Sequence, residues 1–367
     1  MRWSGNPPPV YLRKTFLFLH LVGGLISALF LILLGISGGL LVFENEIDHW
    51  FNSNISWIQP QGTSLSLSEL SVRVEHQHAG SKVASFSMPS DERLALTIGL
   101  RPVGQGKPIR VAMNQYTGEE LGSLDAANQF TRKLHQFHTN LLLGPSGKTI
   151  TVASAMILCG LSLTGLILWW PRKIWKLSDG SAGSRMNFEL HNFVGFYASI
   201  VMLLFAVTGI VIHWDNELKQ FINHRNHEED AAVPKRSISS PTSARQSPDE
   251  LLAVAVQAVP GAKVTSIQGL GGINPIRITM KYPEDRTPAG RTNLYVDPAN
   301  GALLSLQTSR TAPLGTRIAK LWNREIHTGD IGGWTTRIPA CLASFTLPLL
   351  AITGPLIWFG RMRRRMQ

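Results

Sequence analysis

Eleven histidines are spread along the 367 residues, and comparing the chain with itself sorts four of them into pairs. Setting Leu19-His20 against Leu190-His191 fixes one register, in which Gly24 meets Gly195, Ser37-Gly38 meets Thr208-Gly209 and Glu46 meets Glu217. Setting His138-Thr139 against His327-Thr328 fixes a second, in which Thr164-Gly165 meets Thr353-Gly354 and Trp169 meets Trp358. Haem iron takes axial ligands from opposite sides of its porphyrin, so a twofold axis through the iron generates the second imidazole from the first. His20 with His191, and His138 with His327, therefore read as ligand sets for two haem groups, whose chemistry is one-electron transfer.

Neighbouring residues bear on the first pair. Gly24 and Gly195 each lie one helical turn past their histidine, on the same helix face, where a missing side chain admits a flat macrocycle; the same glycines could instead allow close helix packing. Arg13, Lys14 and Arg185 lie one to two turns outward, placed to meet propionates through charge-assisted bonds. The second pair has competitors at its own depth. His135 precedes His138 by one turn, and His213 has Val42 as its counterpart, so it has no repeat partner but could complete an asymmetric site with His138, His135 or His327. Zinc, the rival metal, favours four clustered ligands at short spacing, whereas these histidines fall at two levels.

The elements that must carry these residues are membrane helices. Hydrophobic residues make up 44% of the chain and charged ones 16%, and the apolar residues concentrate in four runs long enough to cross a bilayer, which needs about 20 residues: Thr15 to Phe43, Thr149 to Trp170, Phe188 to Trp214 and Ile338 to Phe359. The first run is too long for a secretion signal and no small-residue cleavage site follows it. Eleven basic residues, Arg2, Arg13, Lys14, Arg172, Lys173, Lys176, Arg185, Arg361 and Arg363 to Arg365, flank one side of the spans against Asp179 and Glu189 alone, which accounts for +9 of the net charge of +11. The positive-inside rule puts that side, with both termini, in the cytoplasm, and leaves no basic patch for nucleic acid. Cys159 and Cys341 fall within spans and read as packing residues.

Between the spans lie two large segments on the other side. Both hold a helical stretch (Ser66 to His76, Pro248 to Val259) and a strand-turn-strand signature whose turns, at Gly118 and Gly301, call for positive φ. The expected organisation is a cytoplasmic N-terminus and first span (1–44), a first outside α+β domain (45–130), a histidine segment with the second span (131–172), an inside loop (173–187), a third span (188–215), a second outside domain (216–322) containing a flexible linker (228–248), and a histidine segment, fourth span and basic tail (323–367). The fold class is thus an integral membrane α-helical bundle, a tandem repeat with a pseudo-twofold axis along the membrane normal, bearing two α+β domains. Almost no charged residue interrupts the spans, which disfavours an ion or proton path.

On the duplicated Leu-His-Xaa4-Gly spans, the His-Thr segments before spans 2 and 4, and the Thr-Gly or Asn-Gly hairpins of both outside segments, the chain resembles the PepSY-associated transmembrane family. Within it the likeness is to inner-membrane, haem-containing siderophore reductases of the ferrioxamine type. The resemblance implies a bacterial inner-membrane protein with periplasmic PepSY-like domains and two b-type haems that reduces Fe(III) in a siderophore and so releases Fe(II). His20 and His191 then carry over as inside ligands, and His138 and His327 as outside ones. No dinucleotide fingerprint occurs, because Gly269-Leu-Gly-Gly-Ile lacks the strand-to-helix setting, so the electron donor is a cytoplasmic protein or quinol. A non-redox scaffold or protease-regulating module, and an iron or haem transporter, stand as the other functions such a layout could serve.

Overall fold

The computed structural model describes residues 10–124, 130–170, 173–178, 183–235 and 245–367. Arg2, Arg172, Asp179 and positions 236–244 of the expected linker lie outside them. The chain divides into two compact units, a helical one (1–44, 133–218 and 322–367) and a sheet-containing one (45–132 and 219–321).

Four long helices form the first unit: span 1 (Val10–Leu41), span 2 (Gly144–Trp169), span 3 (Gly183–His213) and span 4 (Trp334–Met366). Each is apolar and long enough to cross a bilayer, which makes this a multi-pass membrane protein. All four helices start earlier than their apolar runs, because flanking residues continue the helix once it is nucleated. Span 4 remains helical through Pro339, Pro348 and Pro355, as membrane helices tolerate when neighbouring groups take up the freed backbone bonds. Each span packs against two others, in the cyclic order 1, 4, 3, 2. Spans 1 and 4 come closest at Gly35-Xaa3-Gly39: a methyl on Gly35 would sit 2.8 Å from both Leu347 Cβ and the Ser344 carbonyl, and one on Gly39 would sit 2.9 Å from the Phe345 ring. This small-residue spacing is how membrane helices gain van der Waals contact without a hydrophobic driving force. Beyond the end of span 1, Arg337 donates from Nε (3.1 Å) and a terminal nitrogen (2.6 Å) to the Val42 carbonyl, a cation satisfying an acceptor past the helix C-terminus.

The second unit is one eight-stranded antiparallel sheet. Its strands are β1 (Ser81–Ser87), β2 (Leu96–Pro102), β3 (Ile109–Met113), β4 (Glu120–Leu124), β5 (Lys263–Gln268), β6 (Ile276–Lys281), β7 (Thr292–Val296) and β8 (Leu303–Gln307). Their order is β4-β3-β2-β1-β5-β6-β7-β8. Two separate domains were expected; instead each segment forms a four-stranded meander and the two join where β1 pairs with β5, Phe86 opposite Ile267. The join removes two open strand edges, the exposed hydrogen-bonding rows that would otherwise invite aggregation. Helices Leu67–Gln77 and Pro248–Ala258 supply Leu67, Leu70, Val74, Leu251 and Ala255 to a core that includes Phe86, Ile98, Met113, Ile278, Met280 and Leu294, while the alternate residues of β6 turn outward. Gly118 and Gly301 take φ of 72° and 67°, the left-handed turn positions expected of them.

At its start the expected linker (228–248) makes specific bonds. Glu228 accepts from the Leu314 amide at 2.6 Å, Asp230 pairs with Lys219 at 2.8 Å, and the Ala231 carbonyl accepts from Gln307 at 2.6 Å. Its polar composition concealed these specific acceptors.

Both helices open with a capping box. In the second, Ser247 Oγ accepts from the Glu250 amide at 3.2 Å and Glu250 accepts from the Ser247 amide at 2.7 Å. Replacing Ser247 by alanine is expected to destabilise the sheet unit by about 1 kcal/mol. Protease resistance of the purified protein against temperature measures this, and an unchanged midpoint contradicts it.

Candidate functional site

The four repeat-related histidines meet in two pairs inside the helical unit. His20 of span 1 and His191 of span 3 have ring centroids 6.2 Å apart with planes at 90°. His138, on the helix Phe130–Asn140 ahead of span 2, and His327, on the helix Asn323–Thr328 ahead of span 4, have centroids 6.4 Å apart with planes at 48°. In the cyclic order of the bundle, spans 1 and 3 stand on one diagonal and spans 2 and 4 on the other, so each pair closes across the middle.

A second set of residues positions the rings. His20 Nδ1 lies 2.9 Å from Thr164 Oγ1, His191 Nδ1 2.9 Å from Thr353 Oγ1, His138 Nδ1 3.0 Å from Ser37 Oγ and His327 Nδ1 2.8 Å from Thr208 Oγ1. In every case the residue after the hydroxyl is glycine. Methyls on Gly165, Gly354, Gly38 and Gly209 would come 3.3, 3.5, 2.9 and 3.4 Å from Cε1 of the same four rings. Each imidazole is thus bracketed by a hydroxyl-glycine dipeptide on a neighbouring span; a methyl would crowd the ring at Gly38 and, by a few tenths of an ångström, at Gly165, and would meet it at ordinary contact distance at Gly209 and Gly354.

The bracketing crosses within each half of the chain. Span 1 carries both His20 and Ser37, and span 3 carries His191 and Thr208 at the same separation. His138 likewise precedes Thr164 by the same interval as His327 precedes Thr353. From His20 to Ser37 the helix rises about 26 Å, which sets the axial distance between the two pairs. Ala198, Met202, Ala343 and Leu347 form the buried apolar cluster in the bundle, with Leu158, Val201 and Phe205 against it; Ala198, Met202 and Val201 fall between His191 and Thr208 on span 3. Among the described residues no three His, Cys, Asp or Glu side chains cluster as a metal site; each pair brings two imidazoles together.

The other candidates fall elsewhere. His213 is exposed and its ring stands edge-on to Trp214, centroids 4.6 Å apart. Its lack of a repeat partner was the sequence signal for this. His135 turns to Glu44, Nδ1 to Oε2 3.8 Å. Arg185 donates from Nε to the buried Glu189 at 2.9 Å, and Glu189 also accepts from the amide and hydroxyl of Ser178. Arg13 is half-buried. At Gly24 a methyl would find Leu161 at 3.9 Å and at Gly195 it would find Leu350 at 3.6 Å, ordinary contacts. Helix packing therefore does not require glycine at either position, unlike Gly35.

Comparison with curated proteins finds no match. Residues 17–361 match the family described as the PepSY-associated TM region. That match takes in all four histidines, all four brackets and both meanders, and the chain belongs to this family.

Proposed function

We propose that this protein is a di-haem membrane reductase: His20 with His191, and His138 with His327, each hold one haem b, and electrons reach ferric iron presented in a siderophore complex, which leaves as Fe(II). The carrying observation is the spacing of the rings. Two imidazoles sharing one metal ion between them at about 2 Å per bond would have centroids about 6 Å apart, which matches both pairs. The donor set fits as well, since a porphyrin supplies the four equatorial nitrogens that each two-histidine site lacks. Helix packing does not demand glycine at Gly24 and Gly195, so their missing side chains would let a flat group lie beside His20 and His191, and Arg13 would meet its propionates; Arg185 is engaged by Glu189.

Bound haem supplies one-electron oxidation and reduction of its iron. The protein's part is to bind and orient it. The brackets hold the imidazoles and the apolar middle of the bundle excludes water. The charge pattern supports the topology: Lys173, Lys176, Arg185, Arg361 and Arg363 to Arg365 mark the cytoplasmic side, which puts His20 and His191 inside, His138 and His327 outside, and the sheet unit in the periplasm of a bacterial inner membrane. Identical histidine-to-hydroxyl spacings in the two halves, and a matching meander in each, support a tandem duplication. The ferric siderophore as substrate rests on the family resemblance, and the donor is quinol or a cytoplasmic protein.

The purified protein is expected to show a reduced-minus-oxidised b-type spectrum with two haems per chain, and, once reduced, to yield chelator-trapped Fe(II) from added ferric siderophore. A colourless protein ends this reading and leaves a scaffold. Haem that washes out on dilution favours a transporter.

A further inference from the structure

The bracketing hydroxyls do more than touch the rings, because each has one proton and its own helix has claimed it. Thr164 Oγ1 donates to the Gly160 carbonyl at 2.7 Å, Thr353 to Leu349 at 2.8 Å, Ser37 to Leu33 at 2.7 Å and Thr208 to Leu204 at 2.6 Å. A carbonyl oxygen only accepts, so the hydroxyl is the donor in all four bonds and can only accept from the nearby Nδ1. Every imidazole must then be protonated at Nδ1, and its Nε2 carries a bare lone pair.

We propose that Ser37, Thr164, Thr208 and Thr353 are positioning residues that hold all four histidines in the Nδ1–H tautomer with Nε2 free to ligate. This deepens the haem reading above, on which its functional meaning rests; the tautomer assignment itself stands without haem. All four sites make the same choice, so it is not the accident of one contact. A hydrogen bond from a ligand's other ring nitrogen also raises the basicity of that ligand, which favours the more highly charged metal state.

The test uses the full-length protein labelled with 15N-histidine, in detergent, reduced so that haem-bound forms are diamagnetic, alongside protein stripped of pigment. In the wild type the 15N shifts and one-bond N–H couplings of His20, His191, His138 and His327 are expected to report Nδ1–H in both preparations. Thr164→Val with Thr353→Val keeps the shape and removes the acceptor; in pigment-free protein His20 and His191 should lose the uniform Nδ1–H signature while the other two keep it, whereas in haem-bound protein ligation through Nε2 would itself hold the proton on Nδ1. The preference of that site for ferric over ferrous iron should fall about tenfold, which raises its midpoint by about 59 mV for one electron, and Thr→Ser at the same positions should restore it. Nε2–H in the wild type overturns the proposal whether or not the variants fold. So does a Val pair with tautomer and midpoint both unchanged. Absence of pigment alone defeats the haem reading and leaves the tautomer result to decide this one.

Discussion

Changing His20 and His191 together to alanine is expected, if the protein is the di-haem reductase proposed above, to leave a folded protein with one haem per chain instead of two and to stop electron delivery to ferric siderophore. In the di-haem reading each ring would contribute one of the two imidazoles brought together at its site, so removing both would take away the ligands that hold the iron. The remaining pair should keep its haem, because it stands about 26 Å away along the helices and its brackets, Ser37 and Thr208, are untouched. The absorbance of the remaining haem, with the pyridine haemochrome count, measures the loss, and trapped Fe(II) measures the broken relay. Reduction at the wild-type rate by such a variant would remove the inside pair from the electron route. Retention of both haems would remove it from ligation altogether.

The second large effect concerns the scaffold. Gly35→Ala puts a methyl 2.8 Å from Leu347 Cβ and from the Ser344 carbonyl and 2.9 Å from Pro348 Cδ. Two of these atoms are backbone or ring, unable to swing aside, so spans 1 and 4 must separate. Overpacking of this kind costs about 1–3 kcal/mol, and it acts on the helix that carries both His20 and Ser37. Gly24→Ala on the same helix is the control, since its methyl meets only Leu161 at 3.9 Å. Loss of the helical signal on heating in detergent should come at lower temperature for Gly35→Ala and stay unchanged for Gly24→Ala in pigment-free protein; equal midpoints for the two would contradict the packing argument.

Much of this was legible in the sequence, for identifiable reasons. Four runs of apolar residues can only be spans, and the self-alignments of Leu19-His20 with Leu190-His191, and of His138 with His327, told which rings would face each other. The brackets were visible as residues but not as partners: Ser37-Gly38, Thr164-Gly165, Thr208-Gly209 and Thr353-Gly354 served only to align the halves. Small and hydroxyl residues are ordinary in membrane helices, and local pattern cannot show that a ring from another span lies on them. The signal was present in the spacing, which is the same from His20 to Ser37 as from His191 to Thr208, and the same from His138 to Thr164 as from His327 to Thr353. The joined sheet was hidden for a similar reason. Nothing in β1 or β5 alone says whether its outer edge faces solvent or another strand; that depends on a pairing between Phe86 and Ile267, far apart in the chain.

That same pairing governs the order in which the protein can be made. Until synthesis has passed the third span and reached β5, the first meander has no mate for β1, and its edge waits open. Closing so long an interval is slow, because the non-local pairing forms only after the intervening chain has been searched. Nascent chains halted after span 3 should therefore be more prone to chaperone capture or self-association than chains released beyond Gln268, making completion of the central strand pair the step that commits the polypeptide to its finished form.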